Sequence, residues 1–404
     1  MSPFLNFDTP DTPDSPASPQ PVAKPAMSAP STPRTFNDLP DELVKQILGS
    51  LTAHRDLSAM CLVNRRVNHL ADPLLHKTLK FDQPKHHFTF SESLTRRPRR
   101  GSAIQTVHLE YPSHELDEFL DLANSPVFSN RIDPFSHTIS TMSNLENLVI
   151  SVPESLCHGI GTLFNGPFDL ACLKSCSLFY QREDDGYWDL QENIHIFSHP
   201  TLESLTIRRG RLDSKGFDSL EKPAQTVLEA LHLIECDIND DALADLLLIP
   251  EALKEIVITQ LEVPEPPLEE SAEDMEDYIF ALSSAQHSLE TISIDFASLT
   301  GASALRMREF ETLKSFELRD YQLFGQSSPR LHSVGLPPNL EILKFLNNVG
   351  EDEEIEELLC YMIENKQIMA RSLREMVIVE GEKGVNPKVL EACNAAPDLH
   401  LDIW

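Results

Sequence analysis

Two histidines, His195 and His199, stand four apart in HIFSH. On one helical face that spacing suits a metal ion such as zinc. No Glu or Cys occupies the matching offsets, and Pro200 directly behind His199 points to a loop, so the pair does not read as a metal centre. Cys172 and Cys176 have the same spacing but no second cysteine pair to complete a site. Cys176 also falls on an apolar strand position, where a small core residue is the simpler reading. The sequence holds no glycine-rich phosphate loop, no Gly-x-Ser-x-Gly elbow and no zinc-protease helix motif. Its 14 glycines also disfavour folds that cradle nucleotides on glycine turns. No catalytic residue, cofactor or metal is expected. Two acidic runs, around residues 263–278 and 351–358, read as a solvated insertion and a helix beginning with carboxylates; attraction of a basic partner is the alternative.

Composition narrows the class further. The chain has 404 residues and a formal net charge of −31, with a sequence pI near 4.7. So acidic a chain repels nucleic-acid phosphates and anionic leaflets. Its 7 cysteines are scattered, and an odd, unframed set is expected to stay reduced, in cytoplasm or nucleus. No signal peptide and no run of roughly 18 apolar residues is present, so a soluble intracellular protein is expected.

What must position any binding surface falls into parts. Residues 1–34, with Thr9-Pro10, Thr12-Pro13, Ser15-Pro16, Ser18-Pro19 and Thr32-Pro33, are expected to form a disordered tail, since they hold too little apolar surface to offset ordering entropy. Residues 35–80 form a three-helix module. Pro40, Asp41 and Glu42 mark the first turn of a helix carrying Leu43, Val44, Ile47, Leu48 and Leu51. Asp56 is expected to cap a second helix with Leu57, Met60, Leu62 and Val63. A third runs through Val67 and Leu70 and is expected to stop before Pro73. The first helix is apolar on more than one face, and two short neighbours cannot cover all of it. Residues 81–101 read as a connector. Its cluster Arg96, Arg97, Arg99, Arg100 suits a solvated loop, with a nuclear import signal or a contact for an acidic partner as alternatives.

From residue 102 to 404 a template recurs: apolar-x-x-apolar-x-apolar. It appears at Ile104/Val107/Leu109, Leu145/Leu148/Ile150, Leu173/Cys176/Leu178, Leu202/Leu205/Ile207, Leu228/Leu231/Leu233 and Leu253/Ile256/Ile258. It returns at Leu289/Ile292/Ile294, Leu313/Phe316/Leu318, Leu340/Leu343/Phe345 and Leu373/Met376/Ile378, with a partial copy at Leu399/Leu401/Ile403. Most neighbours are about 24 to 29 residues apart, the range of leucine-rich repeats. The last two apolar positions face inward from a short strand, and each strand buries that face only when another stacks beside it. Segments such as Asp240–Leu247 and Ile355–Ile363 read as helices, so an α/β solenoid with parallel strands and right-handed crossovers is expected.

The string Leu39-Pro40-x-Glu42-Leu43, Ile47-Leu48-x-x-Leu51, Asp56-Leu57, Leu62-Val63-Asn64-Arg65-Arg66, Leu70-Ala71-x-Pro73 resembles an F-box from end to end. Asn64 departs from the cysteine many members carry there. The unit at residues 228–247, with Cys236 after its strand, resembles the cysteine-containing class of leucine-rich repeat, and the whole layout resembles fungal F-box proteins with such repeats. The resemblance implies an all-helical module that binds the Skp adaptor and, through it, a cullin–RING scaffold. It also implies a solenoid that holds a target protein for ubiquitin-dependent degradation. The residues implied for Skp docking and module formation are Leu39, Pro40, Leu43, Ile47, Leu48, Leu51, Leu57, Leu62 and Val63. Which of them face outward is left open. Outward strand residues such as His108, Thr206, His232 and Val257 are candidates for meeting the target. Two alternatives stand beside this: a repeat protein that acts as a scaffold outside ubiquitination, and one whose helices merely cap the solenoid.

Overall fold

The computed structural model describes residues 36–111, 138–157, 160, 162–164, 170–213, 225–261, 274–299, 304–325, 334–349, 352–381, 384–396 and 398–404. The tail expected at residues 1–34, and most of the acidic insertion around 263–278, lie outside them.

The chain is α/β. Each apolar template found in the sequence becomes a strand: β2 (Thr106–Glu110), β3 (Asn147–Pro153), β4 (Ser175–Gln181), β6 (Ser204–Arg208), β8 (Ala230–Ile234), β10 (Glu255–Thr259), β11 (Thr291–Asp295), β12 (Ser315–Leu318), β13 (Ile342–Asn348), β14 (Glu375–Val379) and β15 (His400–Ile403). One more strand, β1 (Thr78–Phe81), precedes them, and all twelve form one sheet in chain order. Every neighbouring pair is parallel. Three short strands, β5 (Trp188–Asp189), β7 (Gly210–Leu212) and β9 (Asp237–Ile238), make a second parallel sheet beside its middle.

Register explains why the sheet is stable. Val107 lies against Leu148, Leu148 against Cys176, Cys176 against Leu205 and Leu205 against Leu231, so like positions stack in a ladder. Ile256, Ile292, Phe316 and Leu343 continue it. These side chains are almost wholly buried, and each contributes roughly 1.5–3 kcal/mol by leaving water. The residues between them face outward and stay partly exposed, giving the alternating burial of β2, β4, β8 and β10.

Helices cover the inward face in part of the stack. The sequence places Asn239 before Asp240 and Asp241, and its side chain accepts a hydrogen bond from the Ala242 amide at 2.8 Å, capping the helix Asp240–Leu247. Asp352 caps Glu353–Glu364 in the same way, so the acidic run sits at the positive end of a helix dipole. Other crossovers are built on 3-10 turns in place of α-helices. Leu190–Ser198 is a 3-10 helix, and so are Glu154–Leu156 and Thr162–Phe164.

Two further expectations change. Residues 81–101 are not a bare connector: they hold the helix Pro84–Arg96 and a 3-10 helix, Pro98–Ala103. Pro84 opens the helix where a missing amide costs nothing, and Leu94, Phe90 and the buried His87 pack it onto β1. The third helix of the module also runs through Pro73, from Arg65 to Leu75. Leu74 and Leu75 pack against the helical core and hold the last turn despite the lost backbone bond.

Truncating a ladder residue opens a cavity that neighbouring strands cannot close. Leu231→Ala is expected to cost about 2–5 kcal/mol, and His232→Ala, one step outward, under about 1 kcal/mol, in urea unfolding followed by circular dichroism.

Candidate functional site

The helical head comprises α1 (Asp41–Gly49), α2 (His54–Cys61) and α3 (Arg65–Leu75). Pro40 occupies the cap position of α1 with extended backbone and lends no side-chain bond. The start of α1 is instead fixed from α3. The Arg66 guanidinium pairs with Asp41 at 2.7 Å and also donates to the Leu39 carbonyl. Asn64, the departure from the usual cysteine, caps α3 by accepting from the Val67 amide at 2.8 Å.

A small core lies between the helices: Val44, Leu48, Leu57, Val67, Leu70 and Ala71, with Leu39 and Leu51 half-buried at its edge. Three helices this short have one stripe each to bury, and α1 carries two. Val44 and Leu48 take the inner stripe. Pro40, Leu43 and Ile47, spaced three and four apart, form the outer one, with Leu43 44% and Ile47 42% exposed. Leu62 and Val63 were expected inside the second helix. Leu62 is its C-cap and Val63 lies beyond it, and they are 85% and 58% exposed. The nine residues thus divide into a buried pair, Leu48 and Leu57, a half-buried pair, Leu39 and Leu51, and an exposed set of Pro40, Leu43, Ile47, Leu62 and Val63. These exposed aliphatic side chains are the head's candidate contact surface.

The head joins the sheet through α3. Asp72 pairs with Arg100 at 2.7 Å, both largely shielded, and His76 stacks near Phe90 with ring centroids 6.2 Å apart. Arg100 is therefore a structural joint, whereas Arg96, Arg97 and Arg99 of the same cluster are exposed. No sequence motif signalled the Arg66 and Arg100 contacts, because their partners are 25 and 28 residues away.

No protein-family model matches this chain, and no curated protein matches it.

The outward face of the sheet offers a second surface. His108 lies 3.4 Å from Glu110, and His232 is 3.0 Å from Glu255 on the next strand. Farther along, Arg319 pairs with Asp295 at 2.8 Å and Lys344 with Glu317 at 3.4 Å. Polar partners on this face are thus matched, most of them across neighbouring strands, and Thr206 and Val257 flank His232 in the same outward row.

The residues first considered for chemistry are dispersed. His195 lies within the 3-10 helix Leu190–Ser198, not in a loop, and His199, its C-cap, is buried. Among the described residues no group of three His, Cys, Asp or Glu side chains is placed to hold a metal ion. No helix among them is long and apolar enough to cross a membrane. Cys176 sits in the ladder, and burial pushes its thiol far up. Cys236 is also buried; its thiol donates to the Ile207 carbonyl at 3.4 Å, and burial pushes its pKa up to about 12. Burial raises the Cys393 thiol to about 11.

A thiol whose pKa is raised stays protonated at neutral pH and is a poor nucleophile. In the folded protein at pH 7.5, iodoacetamide is expected to label exposed Cys172 and to spare Cys176 and Cys236 until denaturant is added, read by peptide mass spectrometry.

Proposed function

We propose that the chain is the target-recruiting subunit of a Skp–cullin–F-box ubiquitin ligase. Its helical head is the F-box, and its stacked sheet is a leucine-rich solenoid that holds the target. The observation that carries this reading is the division of α1, which buries Val44 and Leu48 yet leaves Leu43 and Ile47 uncovered. A helix serving only to cap a solenoid would turn its apolar residues toward the first strands. Here α1 packs on α3, and α3 with the Pro98–Ala103 segment makes the junction to the sheet. The order and spacing of the F-box-like residues supply the second support, and the cysteine-bearing repeat around Cys236 the third.

On this reading the chain performs no bond chemistry. Leu43 and Ile47, with Pro40, Leu62 and Val63, dock on the Skp adaptor, and Skp bridges to the cullin–RING scaffold. The target lies on the outward face of the strands. Holding both on one body raises the concentration of target lysines near a charged conjugating enzyme, and proximity replaces catalysis.

The exposed positions allow a test that spares the fold. Leu43→Ala/Ile47→Ala is expected to weaken Skp binding by at least about 2 kcal/mol, roughly thirtyfold, in titration calorimetry, with unchanged circular dichroism. Leu48→Ala is expected to lose binding by unfolding the head instead, visible as a lower melting temperature. Absence of binding by well-folded wild type would end the ligase reading.

A further inference from the structure

The helix layer on the inward side of the sheet is interrupted. Asp240–Leu247 packs beside Met275–Leu282, and Glu353–Glu364 beside Pro387–Ala395, each pair drawn from consecutive crossovers. The two crossovers between these pairs, β11 to β12 and β12 to β13, hold only the five-residue helix Asp320–Phe324 among their described residues. Extended backbone floors the opening instead. Arg306 bridges Gly335 in parallel, and the Met307 amide donates to the Gly335 carbonyl at 2.6 Å. A cleft lies on each side of this bridge. The first, of about 530 Å³, reaches Ile279 and Phe280 of Met275–Leu282. The second, of about 620 Å³, has Val334, Leu336 and Pro338 on one side and Tyr361, Ile368 and Met369 on the other. Arg308 lines both. Phe280, Tyr361 and Ile368 are 79%, 51% and 86% exposed, so large apolar side chains border the opening uncovered.

Charge at this opening runs against the rest of the chain. Residues 297–308, 321–340 and 365–374 contain no Asp or Glu, in a sequence that has 64 of them. Arg306 and Arg308 are exposed and form no ion pair among the described residues. Glu276 and Glu309 line the first cleft. No carboxylate among the described residues lines the second, whose one charged side chain is Arg308.

We infer that the second cleft receives an amphipathic helix of a partner protein, with its apolar face on Leu336, Tyr361 and Ile368 and a carboxylate against Arg308. A helix is the element this layer lacks between Met275–Leu282 and Glu353–Glu364, and an apolar trough between packed helices takes a helix by its apolar stripe. Charge then selects the partner. Arg308 repels a basic helix and attracts an acidic one, the reverse of what the net charge of −31 suggests for the chain as a whole. This surface stands apart from the helical head and is independent of how the head is used.

The experiment is selection on the full chain from a displayed library of amphipathic helical peptides of about 15 residues, with the charge of their polar face randomised. Peptides that also bind the Arg308→Glu/Ile368→Ser variant are removed by counter-selection. Both side chains are exposed, so the variant is expected to keep the circular dichroism of the wild type. The enriched peptides are expected to be acidic. In fluorescence polarisation they are expected to bind Arg308→Gln roughly fivefold more weakly than wild type, the effect of one exposed ion pair. Ile368→Ser, which removes an apolar anchor, is expected to weaken them at least about tenfold. Enrichment of basic or uncharged peptides, equal affinity for Arg308→Gln, or no enrichment at all overturns the inference.

Discussion

In-register parallel stacking is the constraint on which everything else in this molecule rests. One inward position repeats from strand to strand, and each residue there finds its like on both sides. A slip by one residue at any strand would turn its apolar pair outward and push a polar residue such as His232 into the core. The ladder therefore fixes the outward row at the same time as the inward one. The matched polar pairs on the outer face, His232 with Glu255 and Lys344 with Glu317, are consequences of that registration.

The head obeys a different economy of space. It has too few helices to hide every aliphatic side chain it carries, and α1 shows which were sacrificed. Val44 and Leu48 face α3, and the remaining stripe is left open to water. Such a surface is tolerable on a chain whose body is strongly negative, because copies of it repel one another.

The sheet was legible in the sequence wherever the template was intact, which is why β2 to β15 of the main sheet coincide with it. The strand Thr78–Phe81 was not, since His76 stands where the template has its first apolar residue and the segment looks like the end of a helical module. The helix Pro84–Arg96 was hidden because His87, a buried position, is polar in type. Pro73 misled in the opposite sense: local propensity stops the helix there, and packing of Leu74 and Leu75 carries it on. In the head, spacing identified the apolar residues but not their sides. That division depends on how α1 lies on α3, which Arg66 fixes from a distant point in the chain. Long-range ion pairs leave no local pattern to read.

The Asp72–Arg100 pair, with His76 against Phe90, forms the neck between head and sheet. Twelve strands spaced about 4.8 Å apart form a stack up to about 50 Å across, so this neck works as the fulcrum of a long arm. Turning the head by about ten degrees would swing the far end of the arm by about 9 Å, more than the length of one lysine side chain. The neck therefore sets where every point along the strands stands relative to the head.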